Sequence, residues 1–197
     1  EDYKRMSEAN FNLVLNQEAR FAADDLSKKL AIPYIEITRF YQTDKMANQY
    51  RLLGGALGAR LDYAAAQKEA DDCVADFRAR YGELSFSVGE SLNADPFELS
   101  LALVRYGFKV PEIFGTVTPQ EFPYLRQLAE LSPETRIYSN LSPTMLCYDG
   151  TKSPADVTLG RDAAYYHPSA AGVSWNGERK PNGFKGLVSL LNEISQA

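Results

Sequence analysis

The chain has 197 residues, of which 45% are hydrophobic and 24% are charged, the composition of an ordinary globular protein. Its 21 basic and 26 acidic residues give a formal net charge of −5, which argues against nucleic acid or an anionic membrane as the main partner. No apolar run approaches the roughly 20 residues that a membrane helix needs. Only two cysteines occur, Cys73 and Cys147, so the sequence predicts no disulfide framework and favours a reducing cytoplasm.

The first part of the chain, residues 1–82, predicts a helix-rich segment with two short strands. Apolar runs at residues 11–15 and 34–37 predict the strands, and the apolar spacing between them is helical. From Thr43 the pattern stays helical as far as Gly82, apart from three glycines at Gly54, Gly55 and Gly58. Glycine inside a helix costs up to about 1 kcal/mol relative to alanine, so we expect a kink or break there.

The remainder, residues 83–197, alternates strand and helix patterns. Helix start signals lie between the strands: Asp95 can cap a helix that begins at Pro96, and Thr118-Pro119 repeats the signal. The alternation predicts an α/β fold, a Rossmann-like three-layer αβα domain around a mostly parallel sheet. We place its boundary with the helix-rich segment near Gly82. The predicted strands are residues 84–88, 110–117, 136–139, 156–159 and 172–175.

Polar loops follow the predicted strands of this domain. In an open parallel sheet, ligands bind beyond the carboxyl ends of the strands, which lie along one edge. Loop amides at such an edge, together with a nearby arginine, favour an anionic or carboxylate-bearing group. The alternative is a set of ordinary turns, in which glycine, serine and asparagine serve only the chain reversal. The candidate binding residues are Gly89, Glu90, Ser91, Asn140, Ser142, Gly160, Arg161 and Asp162, with a further loop at residues 176–178.

The reactive side chains follow no known catalytic or metal-binding pattern. Cys73 lies on the apolar face of a predicted helix, which indicates a core residue, whereas Cys147 lies in a loop. His167 is the single histidine and stands among tyrosines, where we expect a half-buried polar residue. No Walker loop, no dinucleotide fingerprint after a strand and no Gly-x-Ser-x-Gly occurs. We therefore expect this chain to fold without a metal and to hold none by itself.

Four stretches, taken in order, resemble the component 1 family of nitrogenase-like oxidoreductases. They are Ala-Ile-Pro-Tyr-Ile-Glu at residues 31–36, the strand and glycine loop at 84–91, Pro-Ala-Asp-Val-Thr-Leu-Gly-Arg-Asp at 154–162, and the helix start at 177–187. Subunits of this family are longer and carry three similar α/β domains. The resemblance implies that this chain covers the end of the middle domain and the whole last domain, without the N-terminal region where cysteines bind an iron–sulfur cluster.

The resemblance also implies partners and a cofactor setting. Component 1 subunits pair with a second component 1 subunit in an oligomer and take electrons from an iron–sulfur ATPase, and the full assembly carries an iron–sulfur or metal cluster. In the cofactor-binding subunits a cysteine follows the strand at 11–15, where this sequence has Asn16. A cofactor histidine precedes the late helix, but residues 174–177 read Ser-Trp-Asn-Gly. Neither an amide nor an indole replaces thiolate or imidazole as a strong iron ligand.

Three functional hypotheses follow. The chain belongs to a redox subunit that reduces a substrate, or it belongs to a non-catalytic scaffold that holds a metal complex or an assembly intermediate. The third hypothesis is an α/β domain that shares only the fold. The missing ligands favour the scaffold for this chain by itself, whereas the family resemblance favours the redox subunit for the complete assembly.

Overall fold

A computed structural model describes residues 5, 7–15, 19–152, 155–177 and 180–197. The chain divides into two compact units. One unit holds the described residues up to Arg39 together with Asn48–Leu61, and the other holds Phe40–Ala47 together with Asp62–Ala197. No helix in the described part of the chain is long and apolar enough to cross a membrane.

The first unit is built around a β–α–β motif. Strand β1 (Asn12–Val14), helix α1 (Arg20–Leu30) and strand β2 (Tyr34–Glu36) follow one another, and the two strands pair in parallel. Both predicted strands are confirmed, although each is shorter than its apolar run. The next helix, α2 (Thr43–Leu57), continues through the first two glycines and ends before Gly58, so the predicted break falls at the third glycine.

The second unit contains a five-stranded sheet in which every pairing is parallel. Its strands are β3 (Ser85–Val88), β4 (Lys109–Phe114), β5 (Arg136–Tyr138), β6 (Val157–Leu159) and β7 (Ala171–Val173), in the spatial order β5-β4-β3-β6-β7. The order reverses at β3, which is the central strand. Val88 at its carboxyl end lies level with the last residue of β6 and the penultimate residue of β4. The loops after these strands therefore begin side by side.

In the described residues of this unit, the α-helices that accompany the sheet are α3 (Ala64–Tyr81), α4 (Pro96–Arg105), α5 (Phe122–Leu131), α6 (Arg161–Tyr166) and α7 (Gly183–Ile194). The predicted cap of α4 is confirmed, since Asp95 Oδ1 accepts hydrogen bonds from the amides of Phe97 and Glu98, both at 2.8 Å. Helix α4 packs on α5 and on β3 and β4, while α6 packs on β4, β6 and β7. The predicted α/β, Rossmann-like fold is confirmed.

Helix α3 packs within the second unit through aromatic side chains. The Phe77 ring lies 5.4 Å from the Phe108 ring in an edge contact, and Phe108 makes the same contact at 5.4 Å with Phe86 of β3. Helix α3 also packs along α7. The second compact unit therefore includes α3, which precedes Gly82. The domain boundary expected near Gly82 stays a prediction. Cys73 is half-buried on this helix rather than enclosed in the core.

Candidate functional site

The candidate site lies where the loops after β3 and β6 run next to each other. The amide of Gly89, directly after β3, donates to the carbonyl of Leu159 at 2.8 Å, and the amide of Gly160 donates to the carbonyl of Val173 at 2.9 Å. These bonds continue the parallel ladder by one residue. They bring the Gly89 loop against the start of α6, as the shared edge of a parallel sheet predicts.

Asp162, in the first turn of α6, is the centre of this edge. Its Oδ2 accepts hydrogen bonds from the Glu90 amide at 2.7 Å and from Asn140 Nδ2 at 2.9 Å. Its Oδ1 accepts a third from the Ser91 amide at 3.1 Å. One carboxylate thus joins the loops that follow β3, β5 and β6. The loop amides that could receive an external anion are occupied by a carboxylate of the chain itself.

Two glycines make room for this carboxylate. A Cβ on Gly89 would lie 2.1 Å from Asp162 Oδ1, closer than any side chain can approach. Gly160 has φ +97°, a conformation that L-amino acids rarely adopt, and a Cβ there would lie 3.1 Å from the same oxygen. Gly89 is therefore required by the close approach of Asp162, and Gly160 by the backbone turn from β6 into α6.

A second carboxylate, Glu90, extends the network. One of its oxygens accepts from the amide of Thr116 in the loop after β4, and the other accepts from Asn140 Nδ2 at 3.2 Å. Asn140 therefore bridges Glu90 and Asp162 through its amide nitrogen. Its Oδ1 is buried and has no hydrogen-bond partner within the described parts of the chain. The result is a polar network that spans four of the five strand ends.

The network does not include Ser142, Arg161 or Gly177. Ser142 Oγ bonds to Thr144 Oγ1 at 2.8 Å at the start of a short 3-10 helix. Arg161 is exposed and makes none of the bonds described above. Gly177 accepts from Asn93 Nδ2 at 2.6 Å through its carbonyl. Asn16 lies outside the described residues.

A buried carboxylate at Glu98 was not predicted as a polar centre. Glu98 is fully buried on α4, and both of its oxygens accept from the Tyr41 amide, at 3.1 and 2.9 Å, while Gln42 Nε2 donates at 3.0 Å. Burial raises the pKa of this carboxyl to about 7, and the hydrogen bonds from Gln42 and Tyr41 oppose the rise. The sequence gives no local signal for a contact between residues 57 apart.

A second buried polar cluster joins Glu112, His167 and Tyr148. Glu112 Oε2 lies 2.8 Å from His167 Nε2, and the Tyr148 hydroxyl donates to the same oxygen at 2.5 Å. The side chains of His167 and Glu112 are 4% and 1% exposed. The histidine is therefore buried, and the expectation of a half-buried residue was wrong. The sequence feature that could have predicted this cluster is the glutamate inside the apolar run of β4. A buried carboxylate needs a hydrogen-bonding partner. Glu112 and Tyr148 also line a cavity of about 260 Å³, as does Cys147.

The side chains in the described part of the chain do not form the ligand set of a metal cluster. Among the described residues no group of three or more histidine, cysteine, aspartate or glutamate side chains could hold a metal ion. The segment 174–177, where the resemblance expects a histidine ligand, contains the buried Trp175, whose Nε1 donates to the Tyr41 hydroxyl at 2.5 Å. The Gly89 loop, in turn, is filled by Asp162. These residues therefore provide a protein-lined edge without metal ligands.

The fold and this edge define an α/β protein of the Rossmann-like class, with polar glycine loops at the carboxyl ends of its parallel strands. The sequence profile of the family described as nitrogenase component 1 type oxidoreductase matches residues 1–197. The chain therefore belongs to that family. No curated protein matches the sequence.

A solved structure shares this fold. A structure described as nitrogenase Cp1 at pH 6.5 superposes with a TM-score of 0.70 at 16% identity, covering 96% of this chain and 45% of that one. The chain thus spans less than half the length of that relative. A ligand-free aspartate transcarbamoylase from Trypanosoma cruzi matches with a TM-score of 0.34 at 8% identity over 92% of this chain and 80% of that one. That score is too low to bear on the fold.

Proposed function

We propose that this chain forms the last α/β domain, with part of the preceding one, of a component 1-type oxidoreductase subunit. The subunit takes electrons from an iron–sulfur ATPase partner in the cytoplasm and reduces a substrate. It pairs with a second component 1 subunit in an oligomer whose complete assembly carries an iron–sulfur or other metal cluster. Membership of the family over all 197 residues is the observation that carries the proposal.

In this proposal the chain contributes a wall of the substrate or cofactor site rather than its metal ligands. The strand edge of Gly89, Glu90, Asn140 and Asp162 is the part of the domain where a parallel sheet binds ligands. Ser91, Ser142, Gly160 and Arg161 are further candidate binding residues in the loops at this edge, and Asn16 is a candidate on the resemblance. We expect electron transfer to require the parts of the subunit that lie beyond this chain, because the similar structure is more than twice as long.

A second function, a non-catalytic scaffold, is supported by a separate observation. Asp162 fills the loop that would otherwise receive a ligand, and residues 174–177 offer no histidine. A subunit with these features would hold a metal complex or assembly intermediate through other residues and pass it on without redox chemistry.

One experiment separates the two functions. The full-length protein is purified without oxygen, its iron is quantified and its visible spectrum is recorded. A reduced iron–sulfur ATPase partner and MgATP are then added. A redox subunit should show nucleotide-dependent bleaching of its visible absorption, whereas a scaffold should keep its spectrum and transfer iron to an acceptor apoprotein. Absence of iron from the full-length protein would contradict both proposals.

A further inference from the structure

The loop after β3 has the geometry of an oxyanion-binding site, made by the Glu90 amide, the Ser91 amide and Asn140 Nδ2. We call these three donors the seat. Two consecutive amides, those of Glu90 and Ser91, point at one carboxylate, and the Asn140 side chain adds a third N–H donor. Neighbouring loop amides that converge in this way form anion-binding concavities in many proteins. Here the bound carboxylate comes from Asp162, 72 and 71 residues further along the chain.

The seat has no capacity for a second anion. Each backbone amide carries a single hydrogen, and those of Glu90 and Ser91 already point to Asp162. The space beside Gly89 is taken as well, because Asp162 Oδ1 would lie 2.1 Å from a Cβ at that position. An external carboxylate therefore finds neither a donor nor room while Asp162 is in place.

The negative charge around the seat also disfavours the binding of an external anion. Glu90 lies next to Asp162, since Asn140 Nδ2 donates to both carboxylates. An approaching anion would meet two negative groups at short range. Arg161 follows Gly160 directly, but its exposed side chain makes no bond in this network.

We propose that Asp162 is the built-in anion of this loop: it holds the strand edge together and excludes external carboxylates and other oxyanions, which bind there only when Asp162 is removed. A loop of this design differs from one that cradles an anionic cofactor. The inference concerns this seat only and is independent of the proposed redox function.

The test replaces the internal carboxylate by an external one. Asp162→Ala empties the seat, and formate is the probe because it is the smallest carboxylate. Asp156→Ala is the matched control, because Asp156 precedes β6 whereas Asp162 follows it. Asp156 accepts from the Ser85 amide at 2.8 Å and from the Ser85 hydroxyl at 2.7 Å, without a second converging amide. Thermal midpoints and amide NMR spectra are recorded with increasing formate, at constant ionic strength set by chloride.

The expected result is a midpoint in Asp162→Ala that is lower by roughly 5 °C and that formate raises in a saturable way. Formate should also shift the Glu90 and Ser91 amide signals in this variant, with an affinity at least tenfold above that in the wild type. No response of Asp162→Ala beyond that of Asp156→Ala would overturn the proposal. Equal binding of formate to the wild type would do so too.

A measurement on the wild-type protein keeps the test decisive if Asp162→Ala does not fold. The amides of Glu90 and Ser91 lie outside helices and strands, so without a partner they should exchange their hydrogens rapidly. Bonded to Asp162, they should instead be protected at least tenfold relative to the neighbouring loop amide of Ala94, which lies outside the seat. Unprotected exchange at both positions would show that the carboxylate does not occupy them.

Discussion

The Asp162 carboxylate lies where a side chain on Gly89 would begin: a Cβ at Gly89 would be 2.1 Å from Asp162 Oδ1. Gly89 lies in the loop after β3 and Asp162 in the first turn of α6, and their approach lets the amides of Glu90 and Ser91 donate to the carboxylate. Asp162 can take this place only while residue 89 has no side chain. The stability of the strand edge therefore depends on a charged carboxylate that is packed against Gly89.

A methyl group at Gly89 should consequently be costly. We expect Gly89→Ala to lower the free energy of unfolding by about 2–3 kcal/mol, because the loop must shift or Asp162 must leave its amides. Gly55→Ala is the control, since a Cβ there meets nothing within 4 Å and lies in a helix, where alanine is favoured. Urea titrations of both variants measure the difference. If Gly89→Ala were as stable as Gly55→Ala, the close approach would be wrong.

The buried carboxyl of Glu98 predicts a pH dependence of stability. Its pKa is about 7 in the folded protein against an ordinary value of 4.5, so the folded state holds the proton more tightly than the unfolded state. The stabilisation is then fully present below pH 4.5 and is lost as the pH rises through 7, by roughly 3 kcal/mol in total.

Glu98→Gln should remove this pH dependence because the amide does not titrate. Unfolding free energies from pH 4.5 to 8 for the wild type and the variant measure the effect as a difference, which cancels other titrating groups. Glu130→Gln, an exposed position on α5, is the control and should keep the wild-type slope. Parallel curves for the wild type and Glu98→Gln would count against a proton held by Glu98.

The pair of Glu112 and His167 predicts a coupled loss of stability. Both side chains are buried, and removal of His167 leaves Glu112 Oε2 with the Tyr148 hydroxyl alone, whereas the loss of one member of a buried pair costs roughly 3–5 kcal/mol. We expect His167→Ala to lose stability in this range and Glu112→Gln/His167→Ala to lose clearly less than the sum of the single variants. Tyr165→Ala, at a neighbouring side chain that is 80% exposed, should cost under 1 kcal/mol and serves as the control. Additive losses would mean that the two side chains act independently.

The two cysteines should differ in reactivity. Burial raises the pKa of the Cys73 thiol, with Asp76 and Glu69 adding to the rise, so little of the nucleophilic thiolate forms at neutral pH. Cys147 is exposed and should react first with a thiol reagent, followed by a slower phase from Cys73. Cys73→Ser should remove only the slow phase. A single phase with the wild-type protein would mean that the helix shields Cys73 less than its burial indicates.

The sequence by itself determined the elements and their order. Apolar spacing and the Asp95-Pro96 start signal depend on neighbours a few residues away, so they predict strands, helices and the cap of α4 without any tertiary information. The rule that parallel strands share one edge also predicts that Gly89, Asn140 and Asp162 lie at the same edge of the sheet.

Only the tertiary structure decided which groups meet. The pairing of Asp162 with the Glu90 amide, of Glu98 with Tyr41 and of His167 with Glu112 joins residues 72, 57 and 55 positions apart. These contacts depend on the strand order β5-β4-β3-β6-β7 and on how each loop closes, and neither is written in a local pattern. The sequence therefore showed that the edge is polar, whereas only the fold brought the Asp162 carboxylate onto the amides of Glu90 and Ser91.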